Sequence, residues 1–115
     1  MHAPHLILFA ALVALAGCSR TPAITISNRS TSVLSNIVVS GSGFSNRIDC
    51  IAAGAECRLT VRPPGESGLR VAFDVGGHRV DVDDLAYIEA AGGYHVAVIV
   101  QPDLKVSAAS KIRGY

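Results

Sequence analysis

The sequence predicts an all-β domain, a small antiparallel sandwich of two sheets. Downstream of residue 18, apolar residues recur with a period of two far more often than with the helical period of 3.6. Gly, Pro, Asn and Ser interrupt the alternating segments about every ten residues, and short strands at this spacing are typical of sandwiches and barrels. We therefore expect about seven or eight short strands in two sheets, with a small closed barrel as the alternative.

Four strands are predicted in the first half of the domain, because groups of alternating apolar residues lie between turn-forming residues. These groups are Ile24 with Ile26, Ile37 with Val39, Ile48 with Cys50, and Cys57 with Leu59 and Val61. The small residues 52–55 form the predicted turn between the third and fourth strands. This turn predicts a hairpin that places Cys50 and Cys57 on one side. Pro63 and Pro64 then end the ladder.

The clearest predicted hairpin has its turn at Gly76-Gly77. Alternating apolar residues over 69–75 lead into this turn, and Val80 and Val82 return on the same side. A two-residue Gly-Gly turn between such segments is a strong hairpin signal.

A further pair of strands is predicted over 85–89 and 94–101, joined by the small residues 90–93. Residues 96–100 are all apolar, which predicts a central strand covered on both faces. A turn after residue 101 leads to a predicted edge strand at 104–106.

Strands of this number and length favour immunoglobulin-like or transthyretin-like topology. Immunoglobulin domains of antibodies have a long-range disulfide between their sheets and a buried Trp. The cysteine spacing here does not match that bridge, and the sequence contains no Trp. The prediction therefore concerns architecture and not ancestry.

A short apolar segment, residues 6–16, precedes the predicted domain. A membrane-spanning helix needs about 20 apolar residues, so this segment is too short to span a bilayer but suits the core of a cleaved export signal. It ends in Leu15-Ala16-Gly17-Cys18, and these residues resemble the lipobox of bacterial lipoproteins. Residues 1–5 depart from the usual signal, because they contain neither Lys nor Arg.

The resemblance implies a lipid-anchored protein. The sulfur of Cys18 would carry diacylglycerol, the chain would be cut before Cys18, and the freed amine would also be acylated, as with palmitate. Ser19 differs from the aspartate that marks inner-membrane retention in many enterobacterial lipoproteins, so the outer membrane is expected, with the domain facing the periplasm or the cell surface. The predicted segments are a signal peptide (1–17), a lipidated tether (18–22), a β-sandwich domain (23–107) and a flexible C-terminal tail (108–115).

Two of the three cysteines remain once Cys18 is assigned to lipid. In an oxidising periplasm, Cys50 and Cys57 are predicted to form a disulfide. A bridge that closes so short a loop would contribute about 2 to 3 kcal/mol to stability. A redox role is less consistent with the sequence, because the spacing is not that of a Cys-X-X-Cys motif.

The formal net charge is +1 and no block of like charge occurs, so nucleic-acid binding is not expected. Strand alternation directs several arginines and carboxylates outward. The candidate interaction residues are Arg58, Arg62, Arg70 and Arg79, because Arg is enriched at protein interfaces. The alternative is a solvated face whose exposed ion pairs contribute little.

Enzyme chemistry has little support in the sequence. His78 and His95 have no Ser or Cys partner in a recognisable nucleophile motif, and two isolated histidines do not make a zinc site. We therefore expect no catalytic residue, metal, cofactor or small-molecule substrate. The expected role is a structural or assembly module with the membrane and an envelope protein as partners. The alternative is an inhibitor of a periplasmic lysozyme-type hydrolase, or an immunity-type binder, that uses Ser40–Phe44 as a protruding loop.

Overall fold

A computed structural model describes residues 21–112. These residues form ten β-strands and no helix, which confirms the all-β prediction. The strands are β1 (Ala23–Asn28), β2 (Leu34–Gly41), β3 (Phe44–Ile51), β4 (Glu56–Thr60), β5 (Ser67–Gly68), β6 (Arg70–Val75), β7 (His78–Val82), β8 (Tyr87–Ile88), β9 (Tyr94–Val100) and β10 (Val106–Ile112).

Two four-stranded sheets and one two-stranded sheet contain these strands. Sheet I has the order β10-β9-β1-β4, sheet II has the order β3-β2-β6-β7, and β5 pairs with β8. β1 runs parallel to β9, whereas the other neighbouring strands of the described chain are antiparallel. Parallel neighbours cannot be joined by a tight turn, so β1 and β9 lie far apart in the sequence.

Side chains from the two large sheets form one buried core. Ile24, Ile26 and Val98 project from sheet I, whereas Val39 and Phe73 project from sheet II, and all of them are fully buried. Full burial of a side chain of this size contributes about 1.5 to 3 kcal/mol. The core is therefore shared between the sheets, as in a β-sandwich.

Asn36 interrupts the alternation of β2. Its φ of 46° lies in the left-handed region, which Asn tolerates better than most residues. Leu34 and Ile37 are both buried, and the pairing of β2 with β6 shifts between Ser35 and Val38. This bulge exchanges the inward and outward positions on either side of Asn36.

The prediction that Cys50 and Cys57 lie on one side of a hairpin is wrong. Cys50 pairs with Ser35 and is exposed, whereas its neighbour Ile51 is buried. Cys57 lies on β4 in the other sheet and packs against the core. The predicted hairpin of the third and fourth strands is therefore wrong, because residues 52–55 cross from sheet II to sheet I. The predicted disulfide is not formed in the structure, where both cysteines are free thiols.

β6 and β7 form the hairpin that the sequence predicted. The φ angles of Gly76 and Gly77 are 54° and 80°, and positive φ at both central residues is the type I′ geometry that matches the twist of the flanking strands. Val75 pairs with His78 directly beside the turn. The predicted hairpin is confirmed.

The predicted pairing of 85–89 with 94–101 is wrong. Tyr87–Ile88 pairs with β5, and the N–H of Leu85 donates to the carbonyl oxygen of Leu69 at 2.9 Å. β9 instead lies between β1 and β10, which confirms its predicted central position. Val96, Val98 and Val100 are buried on one face, whereas Ala97 and Ile99 on the other face are only half-buried. The predicted cover on both faces is therefore wrong.

The last strand extends further than predicted. The predicted edge strand covered 104–106, but β10 runs from Val106 to Ile112, with Ala108 opposite Val98. Residues 108–112 therefore belong to sheet I, and the predicted domain boundary at residue 107 is wrong. Most side chains of β10 are Ser or Ala, so their alternation is too weakly apolar to be read from the sequence.

The sandwich has two distinct ends. At the entry end, where β1 begins and β4 stops, the N–H of Val61 donates to the carbonyl oxygen of Pro22 at 3.1 Å. The turn between β2 and β3 is also at this end, because Gly43 lies against Pro64. The far end carries the connections 29–33, 52–55, 76–77 and 101–105.

Asn28 holds the far end together. Its buried Nδ2 lies within hydrogen-bond distance of the carbonyl oxygens of Ser32 (2.8 Å), Ile51 (3.1 Å) and Ala52 (3.2 Å). Its Oδ1 accepts a hydrogen bond from the hydroxyl of Ser30 at 2.7 Å. One amide therefore joins the end of β1 to the loop before β2 and to the crossing after β3.

Asn28→Ala should lower the free energy of unfolding by about 3 kcal/mol, because each buried polar group left unpaired costs about 1 to 3 kcal/mol. Urea unfolding of both proteins measures the difference. Asn46→Ala, on β3 and outside this network, is the matched control and should cost less than about 1 kcal/mol. Equal losses in the two variants would contradict a special role for Asn28.

Candidate functional site

The arginines predicted to form one interaction surface are divided between the two sheets. Arg58 lies on β4 of sheet I, and Arg62 follows that strand. Arg70 and Arg79 lie on β6 and β7 of sheet II. Each of them is exposed, as alternation predicted. Arg70 and Arg79 are on neighbouring strands of one sheet but lie toward its opposite ends, since Arg70 pairs with Ser40 and Arg79 pairs with Asp74. The predicted single surface is not formed, because β3 and β4 belong to different sheets.

Arg70 and Asp81 form an ion pair across β6 and β7. Arg70 Nε donates to Asp81 Oδ1 at 2.7 Å, and an Nη atom donates to Oδ2 at 2.5 Å. This two-point hydrogen bond lowers the pKa of Asp81 below its usual value and raises the pKa of Arg70. Both side chains are about half exposed, at 52% and 41%, so the pair orders the surface more than it stabilises the fold.

A second network forms around the bulge at Asn36. Its Nδ2 donates to Asp74 Oδ2 at 2.9 Å, and Arg79 donates to Asp74 Oδ1 at 3.0 Å and to the Asn36 carbonyl oxygen at 2.9 Å. Arg47 donates to Asn36 Oδ1. The hydrogen bonds from Asn36 and then Arg79 lower the pKa of Asp74. The outer face of sheet II is therefore a set of charges that neutralise one another.

A shallow polar pocket of about 230 Å³ opens at the entry end of sheet II. It is lined by Ser40, Gly41, Ser42, Gly68, Arg70 and Asp83. A Cβ at Gly41 would lie 2.2 Å from Ser67 Oγ and 2.5 Å from the Gly68 carbonyl oxygen, so the close approach of these strands requires glycine. Pockets for drug-sized ligands have volumes of about 300 to 1,000 Å³, so this one fits only a small polar group.

The segment Ser40–Phe44 does not protrude. The backbone N–H of Ser42 donates to the buried Oγ of Ser67 at 2.8 Å, and a Cβ at Gly43 would lie 2.6 Å from the Pro64 ring. Phe44 packs against the core. The segment is a fastened turn and not an insertion loop.

Tyr87 and two acidic neighbours form a cluster that the sequence does not predict. The Tyr87 hydroxyl lies 2.6 Å from Glu66 Oε1 and 2.5 Å from Glu89 Oε1. Loss of its proton would place a phenolate beside two carboxylates, so Glu66 and then Glu89 raise the pKa of Tyr87 well above its usual value. The Tyr87 ring meets that of Tyr94 edge to face, with centroids 6.0 Å apart. The two-residue strand β8 gave no periodic signal that could have shown this cluster.

The two histidines lie apart from each other. His95 Nε2 and the Thr25 hydroxyl are 3.1 Å apart on the outer face of sheet I, and His78 begins β7 in sheet II. Within residues 21–112, no group of three His, Cys, Asp or Glu side chains is placed to hold a metal ion. The same residues include no helix that is long and apolar enough to cross a membrane. Cys18 lies outside the described residues.

Comparisons with known proteins give little beyond the fold. No family model matches the chain, and no curated protein matches it. A solved structure described as the NMR structure of the protein from Eubacterium rectale is similar, with a TM-score of 0.55 and 14% sequence identity. The match covers 78% of this chain and 87% of that one. At this level of identity, the similarity concerns the fold alone.

The ion pairs on the outer face of sheet II should make the stability of the folded protein fall at low pH. Asp74 and Asp81 have lowered pKa values in the folded state. The stability that they contribute is therefore complete above the usual pKa of Asp, about 4, and is lost as the pH falls through their pKa values in the folded protein. The melting temperature should therefore fall more steeply below about pH 4 in the wild type than in the double variant D74N/D81N.

Thermal unfolding monitored by circular dichroism, repeated at several pH values, measures the two slopes. Asp49→Asn, which is exposed on β3 and lies outside both networks, is the control and should keep the wild-type slope. The same slope in D74N/D81N and the wild type would contradict the interpretation.

Proposed function

We propose that this chain is a lipid-anchored envelope protein that acts as a structural or assembly module, without catalysis, and that binds an envelope protein through the far end of its sandwich. The observation that carries the proposal is the direction of the chain. The described part starts at the entry end, and the connections 29–33 and 52–55 that Asn28 joins lie at the opposite end.

The tether to the proposed lipid is short. Cys18 lies four positions before Pro22, and an extended chain of that length reaches about 14 Å. Pro22 is held to Val61 by a backbone hydrogen bond. Two or more acyl chains make such an anchor stable, whereas a single chain gives marginal binding. The entry end would therefore face the bilayer, and we propose the outer membrane as its location.

The far end suits docking because it is organised before any partner binds. Asn28 joins the connections 29–33 and 52–55, and the N–H of Arg29 donates to the carbonyl oxygen of Val100 at 2.9 Å. A surface that is already ordered loses little conformational freedom on binding. Val33 is 54% exposed in the first of these connections, and it offers an apolar contact.

Of the two topologies that the sequence favoured, we propose the transthyretin-like one. In an immunoglobulin constant domain the first two strands share a sheet, and the third strand lies in the other sheet. Here β1 and β2 lie in different sheets, and β2 is the neighbour of β3. The chain therefore passes from the first sheet to the second one strand earlier than in an immunoglobulin domain.

The alternative role, inhibition of a lysozyme-type hydrolase, gains no support from the turn on which it was based. Ser40–Phe44 is fastened to Ser67 and packed against Pro64. A blocking loop must project into the cleft of its target, and this turn does not project.

Cys18→Ser should release the protein from the membrane. In the wild type, mass spectrometry of the N-terminal peptide should show a chain that begins at Cys18 and carries diacylglyceryl and acyl groups. Fractionation should place the wild type in the outer membrane and the variant outside that fraction. Cys50→Ser is the matched control and should leave the protein anchored. An uncleaved wild-type chain without acyl mass would contradict the anchor.

A photo-crosslinking amino acid at Val33 should give a discrete adduct with an envelope protein in intact cells. The same probe at Thr60, on the edge strand β4 and at the opposite end, is the control and should not give this adduct. The adduct should also disappear in the Cys18→Ser variant, because the far end is then no longer held near the membrane. The same adduct from both positions would contradict docking through the far end.

A further inference from the structure

We propose that a patch at the entry end rests on the lipid headgroups of the membrane that holds the protein. This patch, called here the entry patch, is formed by the exposed Tyr87 and Ile112 and the half-buried Tyr94 between them. This inference depends on the lipid anchor of the proposed function and adds a second, non-covalent contact. Its occupant is a phospholipid surface.

The entry patch is continuous. The rings of Tyr87 and Tyr94 meet edge to face, with centroids 6.0 Å apart. Tyr94 lies directly opposite Ile112 in the pairing of β9 with β10. Tyr87 is 45% exposed and Ile112 is 55% exposed. Large apolar side chains of the described chain with this much exposure are few, and the other one is Val33 at the far end.

The entry patch lies beside the point where the chain would leave for the bilayer. Ala23 pairs with His95, and His95 pairs with Lys111, so the start of β1, the start of β9 and the end of β10 are aligned across sheet I. Neighbouring strands are about 4.8 Å apart, which places Ile112 about 10 Å from the start of β1. The tether reaches about 14 Å when extended, so it is short enough to bring the entry patch to the membrane surface.

The chemistry of the entry patch fits the headgroup region. Tyrosine is enriched at membrane interfaces because its ring is apolar and its hydroxyl is polar. The hydroxyl of Tyr87 is held by Glu66 and Glu89, and carboxylates resist transfer into hydrocarbon. The contact is therefore shallow, at the level where phosphatidylethanolamine presents ammonium groups to carboxylates. Lys111, next to Ile112, can meet a lipid phosphate.

The sequence contains no Trp, so one introduced Trp gives an unambiguous fluorescence signal. Ile112→Trp tests the entry patch, and Val33→Trp is the matched control, since both sites are exposed to the same extent at opposite ends. Each protein is purified with its own lipid and inserted into vesicles of phosphatidylethanolamine and phosphatidylglycerol. Part of the phospholipid carries bromine in its acyl chains to quench nearby fluorescence.

The emission of I112W should shift to shorter wavelength in vesicles and lose intensity to the brominated lipid, whereas the emission of V33W should do neither. Equal behaviour of the two variants would overturn the inference. The substitution Tyr87→Ser in the I112W protein leaves Tyr94 packed against the core and should reduce the shift while the protein stays in the vesicle pellet.

A parallel preparation separates failure of this inference from failure of the proposed function. The chain from Cys18 onward, with Cys50→Ser and Cys57→Ala, is coupled at Cys18 to a maleimide phospholipid, and circular dichroism checks its fold. If the cellular protein lacks lipid, the proposed function fails, and the coupled protein still tests the entry patch. Lipidated I112W that behaves like V33W would overturn the patch contact and leave the anchor intact.

Discussion

The buried amide of Asn28 connects three segments at the far end of the sandwich, beside the backbone hydrogen bonds that join the end of β1 to residues 54 and 55. It lies at the end of β1 and binds carbonyl oxygens before β2 and after β3, where the chain passes from one sheet to the other. A buried polar network of this kind favours one arrangement, because alternative arrangements would leave buried groups unpaired. The position of one sheet relative to the other, and the order of the connections at the far end, depend on this arrangement.

Sequence periodicity predicted which residues are buried more reliably than which strands are neighbours. The hairpin at Gly76-Gly77 could be predicted because the turn chemistry and the alternation on both sides agree. The pairing of β3 with β4 could not, because a four-residue connection can either return in the same sheet or cross to the other. Alternation also fails at Asn36, where a left-handed residue reverses the faces and turns Cys50 outward.

The candidate site was predicted only in its parts. Alternation correctly placed the arginines at the surface, but it carries no information on sheet membership, so Arg58 and Arg62 were grouped with residues of the other sheet. The network at Asn36 depends on a single backbone angle. The Tyr87 cluster depends on a two-residue strand pair between segments far apart in sequence. Neither has a periodic pattern, and both follow only from tertiary structure.

The parallel pairing of β1 with β9 also sets an order of events during folding. Ala23 is paired with His95, so the first strand of the domain has an open edge until most of the chain has been synthesised or exported. Pairings between such distant residues form slowly, and strand edges left unpaired in the meantime are prone to aggregate. A nascent chain of this protein would therefore need shielding until its last two strands emerge.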